Sequence, residues 1–262
     1  MAISFRRLTE YVVRRLSFKA RLPKRFGRRP IYLSPGNHLA VLKPGDAKFE
    51  GYLLGFADRF VDANSVVWDI GANMGMFAIP AAHRAKFTLA FEPDPFNLEL
   101  LHRSQAANPG LALDVLPVAL SKEFGIAQLS IPMRGRSANS LEGVHFGTQM
   151  GGVRQSYSVI TVTADWVMER YPAPTFIKCD AEGAEVWILQ GATRLLREAR
   201  PVIIIEMPNE NADACAAIFK ANDYVMTSSY EKVDPTKLVD DIHDVWDVLA
   251  IPKEKLDDYV GR

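Results

Sequence analysis

The sequence predicts an α/β protein built on a mostly parallel sheet with helices on both faces. Three observations carry this. From Val66 onward, short apolar runs alternate with segments of helical spacing. Those runs are mostly continuous in apolar residues, as expected of strands covered on both sides. The first run, Val66-Val67-Trp68-Asp69-Ile70, breaks into Gly71-Ala72-Asn73-Met74-Gly75 before a helical pattern begins. A strand, a glycine turn and a helix start let backbone pass close under a ligand and offer it free N–H groups.

The chain has 262 residues, 48% hydrophobic and 24% charged, enough to bury a full core in one domain with modest additions. Cys179 and Cys215 do not suggest a disulfide framework, and Cys179 falls in an apparent buried strand, so reduced thiols and a cytoplasmic location are expected. No apolar run approaches the ~20 residues that span a bilayer, and the N-terminus lacks a continuous apolar stretch of secretory type. Zero net charge hides an asymmetry. Residues 1–30 carry ten Arg or Lys against one acid, Glu10, leaving 21 bases and 30 acids in the remainder. Phe5, Leu8, Val12 and Leu16 recur at helical spacing between the arginines, which describes a basic amphipathic segment. Besides nucleic-acid binding, two readings stand for it. It lies on anionic lipid, placing the protein at the inner face of the membrane, or it docks on the acidic remainder with its arginines solvated or ion-paired.

Residues 31–62 read as a cap. A small β element is broken at Ser34-Pro35-Gly36-Asn37 and Lys43-Pro44-Gly45-Asp46. A helix follows on Phe49, Tyr52, Leu53, Phe56 and Phe60, with Asp46 at its start, and is expected to roof the pocket. Residues 63–262 form the main domain. Strands are predicted at 66–70, 87–91, 113–118, 175–179, 202–206, 224–228 and 246–251, with a short extra strand at 128–131. Helices are predicted near 76–84, 95–107, 163–170, 183–197 and 211–221. Residues 132–158 lose periodicity and are dense in Gly, Ser and Arg, including Arg134, Arg136, Ser137, Asn139 and Ser140. They read as a lid or substrate loop.

Gly71 and Gly75 do not fit G-x-G-x-x-G, and no Gly-Lys-Ser/Thr follows, so a phosphate-binding turn is excluded. Asp69 at the strand tip would repel a pyrophosphate and attract an ammonium or sulfonium cation. S-adenosylmethionine carries both cations and no phosphate. Glu92 closes the next strand 21 residues after Gly71, near the ~20-residue offset of a carboxylate that grips ribose hydroxyls. Thr175-Phe176-Ile177-Lys178-Cys179-Asp180 and Val202-Ile203-Ile204-Ile205-Glu206 are further buried strands ending in acids, and Ala181-Glu182-Gly183-Ala184-Glu185 leads from Asp180 into a helix. Ligands of open α/β sheets bind beyond the carboxyl ends of the strands, so Asp180, Glu206, Glu182 and Lys178 are the catalytic candidates. Asp180 or Glu206 takes the proton of a substrate hydroxyl, or the two hold a divalent cation such as Mg2+ that lowers the hydroxyl pKa. Glu185 reads as a carboxylate favoured by a helix N-terminus. His38 and His145 are single loop histidines that reach the acids only from the roof or the loop.

With these motifs in hand, the chain resembles the FkbM-type family of class I S-adenosylmethionine-dependent methyltransferases. The resemblance covers roughly residues 45–252 and rests on Trp68–Gly75, Ala90-Phe91-Glu92-Pro93-Asp94-Pro95, Val118-Ala119-Leu120-Ser121, the run from Ile177 to Glu185, Ile203-Ile204-Ile205-Glu206 and Val248-Leu249-Ala250-Ile251. Cys179 and Ala181 depart from the family's usual hydrophobic and Val or Ile, and both changes are conservative in role. The resemblance implies a Rossmann-like seven-stranded sheet of order 3-2-1-4-5-7-6 with the last strand antiparallel. It implies that Asp69, Gly71, Asn73 and Gly75 form the methionine and ribose side of the cofactor pocket, that Glu92 binds the ribose diol, that Pro93 flanks adenine and that Ala119 meets the adenine edge through its backbone. The expected activity is methylation of a hydroxyl on a sugar of a surface glycan, a lipid-linked precursor or a natural product. An RNA ribose 2′-O-methyltransferase using Lys178, Asp180 and Glu206, and a non-catalytic module keeping the cofactor fold, are the alternatives. The expected partners are the glycan or small-molecule acceptor, anionic lipid through residues 1–30 and a second copy in a homodimer, with no nucleic acid.

Overall fold

A computed structural model of the chain describes residues 16–49, 51–133, 135–136, 138–143 and 152–262, the side chain of Tyr52 excepted. Strands β1 (Phe18–Arg21) and β2 (Pro30–Leu33) form an antiparallel pair, Phe18 facing Leu33. The central sheet contains β3 (Val66–Ile70), β4 (Phe87–Phe91), β5 (Leu113–Leu116), β10 (Phe176–Cys179), β11 (Val202–Glu206), β12 (Tyr224–Ser228) and β13 (Asp247–Pro252). The second sheet contains β6 (Ala119–Leu120), β7 (Gly125–Pro132), β8 (Ser140–Leu141) and β9 (Val153–Val162).

The seven central strands run in the order β12-β13-β11-β10-β3-β4-β5. Strands β5, β4, β3, β10 and β11 are parallel, and β13 is antiparallel to both β11 and β12. This is the order the resemblance implies. Helices Ala78–Arg84, Pro95–Ala106, Glu185–Gln190 and Asn209–Ala221 connect the strands. Successive side chains of a strand point to opposite faces, so β11 divides between two cores. Ile203 and Ile205 pack with Trp68, Phe91 and Ile177 on one side, and Val202 and Ile204 pack with Val67, Ala90 and Phe176 on the other. Burial on both faces is why these strands read as unbroken apolar runs.

The helical pattern at 183–197 resolves into Glu185–Gln190 and a π-helical turn, Leu195–Ala199, with Gly191 between them. A Cβ on Gly191 would lie 2.1 Å from the Ser121 carbonyl oxygen, so close packing on the neighbouring loop sets this break. Two stretches differ more from the expectation. The extra strand at 128–131 is the middle of the eight-residue β7, and the expected loop at 132–158 contains β8 and the first six residues of β9. Strand β7 pairs with β9 over its whole length. Its first half, Val153-Arg154-Gln155-Ser156-Tyr157-Ser158, is largely exposed and polar, so hydropathy gave no signal for a strand whose partner lies over twenty residues away.

The expected boundary at residue 30 falls inside the β1–β2 pair. Strand β1, not a helix, carries Lys19 and Arg21, while Arg25 pairs with Asp58 at 2.7 Å and Arg28 with Asp46 at 3.4 Å. Residues 16–30 therefore dock on the domain. Residues 1–15, with Phe5, Leu8 and Val12, lie outside the described residues. Among the described residues no helix is long and apolar enough to cross a membrane.

Candidate active site

The turn after β3 is locked against the tip of β10. Gly71 has φ +71°, and a Cβ there would lie 1.9 Å from the Asp180 carbonyl oxygen. Gly71 and Ala72 donate backbone N–H bonds to the Phe91 carbonyl at 3.1 and 2.9 Å, which ties the same turn to β4. Asn73 sits at φ 52°, a left-handed conformation that Asn tolerates better than most residues. This orientation lets Asn73 N–H donate to Glu92 Oε2 at 2.6 Å, while Glu92 Oε1 accepts from Asp94 N–H at 2.8 Å. Burial pushes Glu92 up to about 8, against the pull of those two bonds. The Asn37 amide donates to Asn73 Oδ1 and, at 2.7 Å, to Asn97 Oδ1, so the cap is pinned to the turn. Gly75 is buried beside Leu101 and lines neither cavity described below.

Asp69 is 0% exposed and also lines neither cavity. The direct attraction of a cationic ligand expected from its place at the strand tip is therefore replaced by an internal pairing. Lys178 Nζ lies 3.3 Å from Asp69 Oδ1 and 3.3 Å from Asp180 Oδ2, and donates to the Gly71 carbonyl at 2.9 Å. Burial works to lower the Lys178 pKa, but the charges of Asp180 and Asp69 overcome it and hold the ammonium protonated. Burial likewise works to raise Asp180, yet Lys178 and a hydrogen bond with Glu206 keep it below the ordinary carboxylate value. Glu206 goes the other way: burial and the Asp180 charge push it up to about 10. At neutral pH Glu206 thus holds a proton and donates it to an ionised Asp180. Burial, with Asp180 second, brings Glu182 up to about 8. Glu185 is buried as the start of its helix, accepting from Ala181 and Gly183 N–H at 3.2 and 3.1 Å and from the Asn211 amide at 3.0 Å.

Two cavities meet at this cluster. The first, of about 70 Å³, is lined by Glu92, Pro93, Val118, Ala119, Arg136 and Asn139. The second, of about 430 Å³, lies under the cap and is lined by His38, Lys48, Lys178, Glu206 and Trp246 with an apolar wall that includes Leu53 and Phe77. Gly71, Asn73, Asp180 and Glu182 line both.

Two of the predicted loop residues line the first cavity. Arg136 and Asn139 face the first cavity and converge on Asp94, which is itself the N-cap of helix Pro95–Ala106. Arg136 Nη1 lies 2.9 and 2.8 Å from the two Asp94 oxygens, and Asn139 Nδ2 donates to Oδ2 at 2.7 Å. Ser140 is buried in β8. Arg134, Ser137 and His145 lie outside the described residues. Asn37, Asn97, Lys48 and Trp246 were not singled out by sequence. Asn37 sits in a Pro-Gly-Asn break and Asn97 two residues past Asp94-Pro95, signals for turns and helix starts but not for a site. Asp180 and Glu206 do adjoin, but among the described residues no three His, Cys, Asp or Glu side chains are grouped to hold a metal ion.

A parallel sheet with one antiparallel strand beside its last parallel member, a glycine turn after its central strand and a buried acid closing the next strand define a class I methyltransferase fold. The chain belongs to the methyltransferase FkbM domain family, whose model matches residues 69–248. The hexuronic acid methyltransferase AglP of Haloferax volcanii is 28% identical over 145 residues, which cover 55% of this chain and 56% of that protein. The match therefore spans little more than half of that relative. Among solved structures, the FkbM methyltransferase of Methylobacillus flagellatus KT superposes with a TM-score of 0.47 at 22% identity, covering 73% of this chain and 44% of that one. The M. jannaschii TYW2 structure in complex with AdoMet gives 0.43 at 12% identity, covering 84% and 80%.

Proposed function

We propose that the protein transfers a methyl group from S-adenosylmethionine to a sugar hydroxyl, with Asp180 receiving the hydroxyl proton. The observation that carries this is the position of Asp180, an ionised carboxylate lining both cavities where they meet. Family membership and the hexuronic acid methyltransferase relative support the reaction class and the sugar acceptor.

The residues of the first cavity fit a nucleoside. Glu92 offers two carboxylate oxygens already oriented by backbone N–H groups, Pro93 and Ala119 supply apolar walls, and a side chain on Gly71 would displace the joint between β3 and β10. S-adenosylmethionine bound there supplies an electrophilic methyl group. Lys178 keeps Asp180 ionised and aimed, at some loss of basicity. Proton transfer to Asp180 is therefore late, once attack has made the hydroxyl oxygen acidic. Glu206, protonated, steadies the other side of Asp180. The positive charge that a divalent cation would bring to Asp180 is already supplied by Lys178, so turnover is expected to persist in excess chelator. Loss of turnover that Mg2+ restores would instead move hydroxyl activation to a metal held by Asp180 and Glu206.

Glu92 gives a pH test of the nucleoside assignment. A ribose diol donates hydrogen bonds best to the ionised carboxylate, whereas the free protein holds the Glu92 proton until about pH 8. Cofactor affinity measured by calorimetry should therefore tighten by up to about tenfold per pH unit below 8 and level off above it. Glu92→Gln should bind weakly with no such slope, and a slope surviving in that variant would show that another group titrates.

The acceptor class is tested by supplying methyl-labelled cofactor with simple glycosides and, separately, with RNA. Label in the glycoside supports the proposal. Label in RNA alone transfers the reading to ribose 2′-O-methylation.

A further inference from the structure

We infer that the cap and Trp246 form a surface that seats the protein on an anionic lipid membrane. Leu39, Leu42 and Trp246 enter the headgroup region, and the basic residues of the β1–β2 hairpin hold the protein there.

The leucines belong to a 3₁₀ turn, Leu39–Leu42, that follows the Pro-Gly-Asn break of the cap. Side chains three residues apart eclipse on such a turn, so His38 and Val41 share one side and Leu39 and Leu42 share another. The first pair lines the second cavity, with Val41 buried. The second pair is 67% and 59% exposed. Val41 N–H donates to the His38 carbonyl at 3.2 Å and Lys43 N–H to the Ala40 carbonyl at 3.0 Å, so the leucines project from a fixed backbone.

Trp246 lines the same cavity from a distant part of the chain and is 60% exposed. Its backbone is fixed too, since the Trp246 carbonyl accepts from Met207 N–H at 2.7 Å. Exposed apolar side chains from two segments thus flank one cavity. An indole, apolar in its body and polar at its N–H, suits the boundary between lipid and water.

Charge decides the kind of partner. Residues 16–49 carry eight Arg or Lys against one acid, Asp46. Arg25 and Arg28 pair with Asp58 and Asp46, while Lys19, Arg21 and Lys24 are exposed on the hairpin. The stretch Gly45–Phe49 packs against the leucine turn and ties it to the hairpin. Asp46 reaches Arg28 at 3.4 Å, and Lys48 Nζ lies 6.0 Å from the centroid of the Phe18 ring. Protruding leucines and an indole beside a cationic hairpin match an anionic bilayer, where apolar insertion and charge attraction add. Another exposed pair, Ile126 facing Ile160 across β7 and β9, lacks this setting, because Arg154 is the single charged residue of those two strands. With the protein seated in this way, the second cavity lies at the lipid boundary.

The full chain is sedimented with vesicles of phosphatidylcholine alone and of equal parts phosphatidylglycerol and phosphatidylcholine. Wild type should bind the mixed vesicles at least about tenfold more tightly, and the difference should shrink as salt approaches 1 M, where the Debye length is about 3 Å. The double change Leu39→Ser with Leu42→Ser should weaken binding to mixed vesicles by about tenfold or more, as expected when two leucines partly enter an apolar phase. Tm and S-adenosylhomocysteine affinity should stay at wild-type values, because both side chains are exposed. Ile126→Ser should bind as wild type does. Vesicles with brominated acyl chains should quench the tryptophan emission of wild type, and Trp246→Phe should lose most of that quenching. No preference for anionic vesicles in wild type, binding unaffected by the leucine changes, an equal loss in Ile126→Ser, or quenching that survives in Trp246→Phe overturns the inference. Self-association abolished by the leucine changes, with no vesicle binding, would assign the surface to a second copy of the chain and overturn it as well.

Discussion

Replacing Asp180 by asparagine lowers kcat/KM for methyl transfer by about 10²–10⁴-fold, the usual contribution of a positioned proton acceptor, and leaves cofactor affinity within a few-fold. The amide keeps the size of the carboxylate and can still accept a hydrogen bond from Glu206. Lys178 keeps Asp69 at 3.3 Å and the Gly71 carbonyl at 2.9 Å, so the buried ammonium is not stranded. Glu206, no longer beside an anion, should ionise more readily, because the Asp180 charge is one of the causes of its high pKa. Steady-state kinetics with calorimetry of the same preparation checks this outcome. Full activity in Asp180→Asn would remove Asp180 from the chemistry, whereas joint loss of activity and cofactor binding would make it a cofactor residue instead.

Gly71→Ala is expected to cost more than any other single change in the turn. The new Cβ would sit 1.9 Å from the Asp180 carbonyl oxygen and adopt φ +71°. Left-handed backbone costs roughly 1–2 kcal/mol in a residue with a Cβ, and forcing the strand tips apart adds about 1–3 kcal/mol. Against a typical total stability of about 5–15 kcal/mol, that loss should lower Tm by about 10 °C and abolish cofactor binding. Gly110→Ala is the control: it has φ +93° but nothing within 4 Å of its new Cβ, so it bears the backbone cost alone. Equal Tm shifts in the two variants, with cofactor binding retained in both, would contradict the assignment of Gly71 to a close approach between β3 and β10.

Much of this architecture was legible in the sequence because burial on both faces writes itself as continuous apolar runs. Residues 66–70, 87–91, 202–206 and 224–228 coincide with β3, β4, β11 and β12. The joint from Asp69 to Gly75 and the acids at 92, 180 and 206 were legible because they stand at the abrupt ends of those runs. What was not legible depends on tertiary neighbours. Asp69 looks like a ligand-facing charge until Lys178, over a hundred residues later, is seen to neutralise it. Arg136 and Asn139 look like acceptor residues until Asp94 is seen to hold them over the first cavity. Lys48 and Trp246 belong to segments with no shared motif, and only the fold brings residues 37–54 and 246 around one cavity. The first half of β9 is exposed on both faces, so its pattern is indistinguishable from a polar loop without β7 beside it.

The most direct test of the central claim is a single-turnover reaction of wild type and Asp180→Asn with methyl-labelled S-adenosylmethionine and methyl glucuronide, followed by mass and NMR identification of the product. The account predicts a labelled methyl ether on a ring hydroxyl with wild type, and none over the same interval with a variant that still binds the cofactor. A labelled ester on the carboxylate, or an ether formed equally by both proteins, would contradict it.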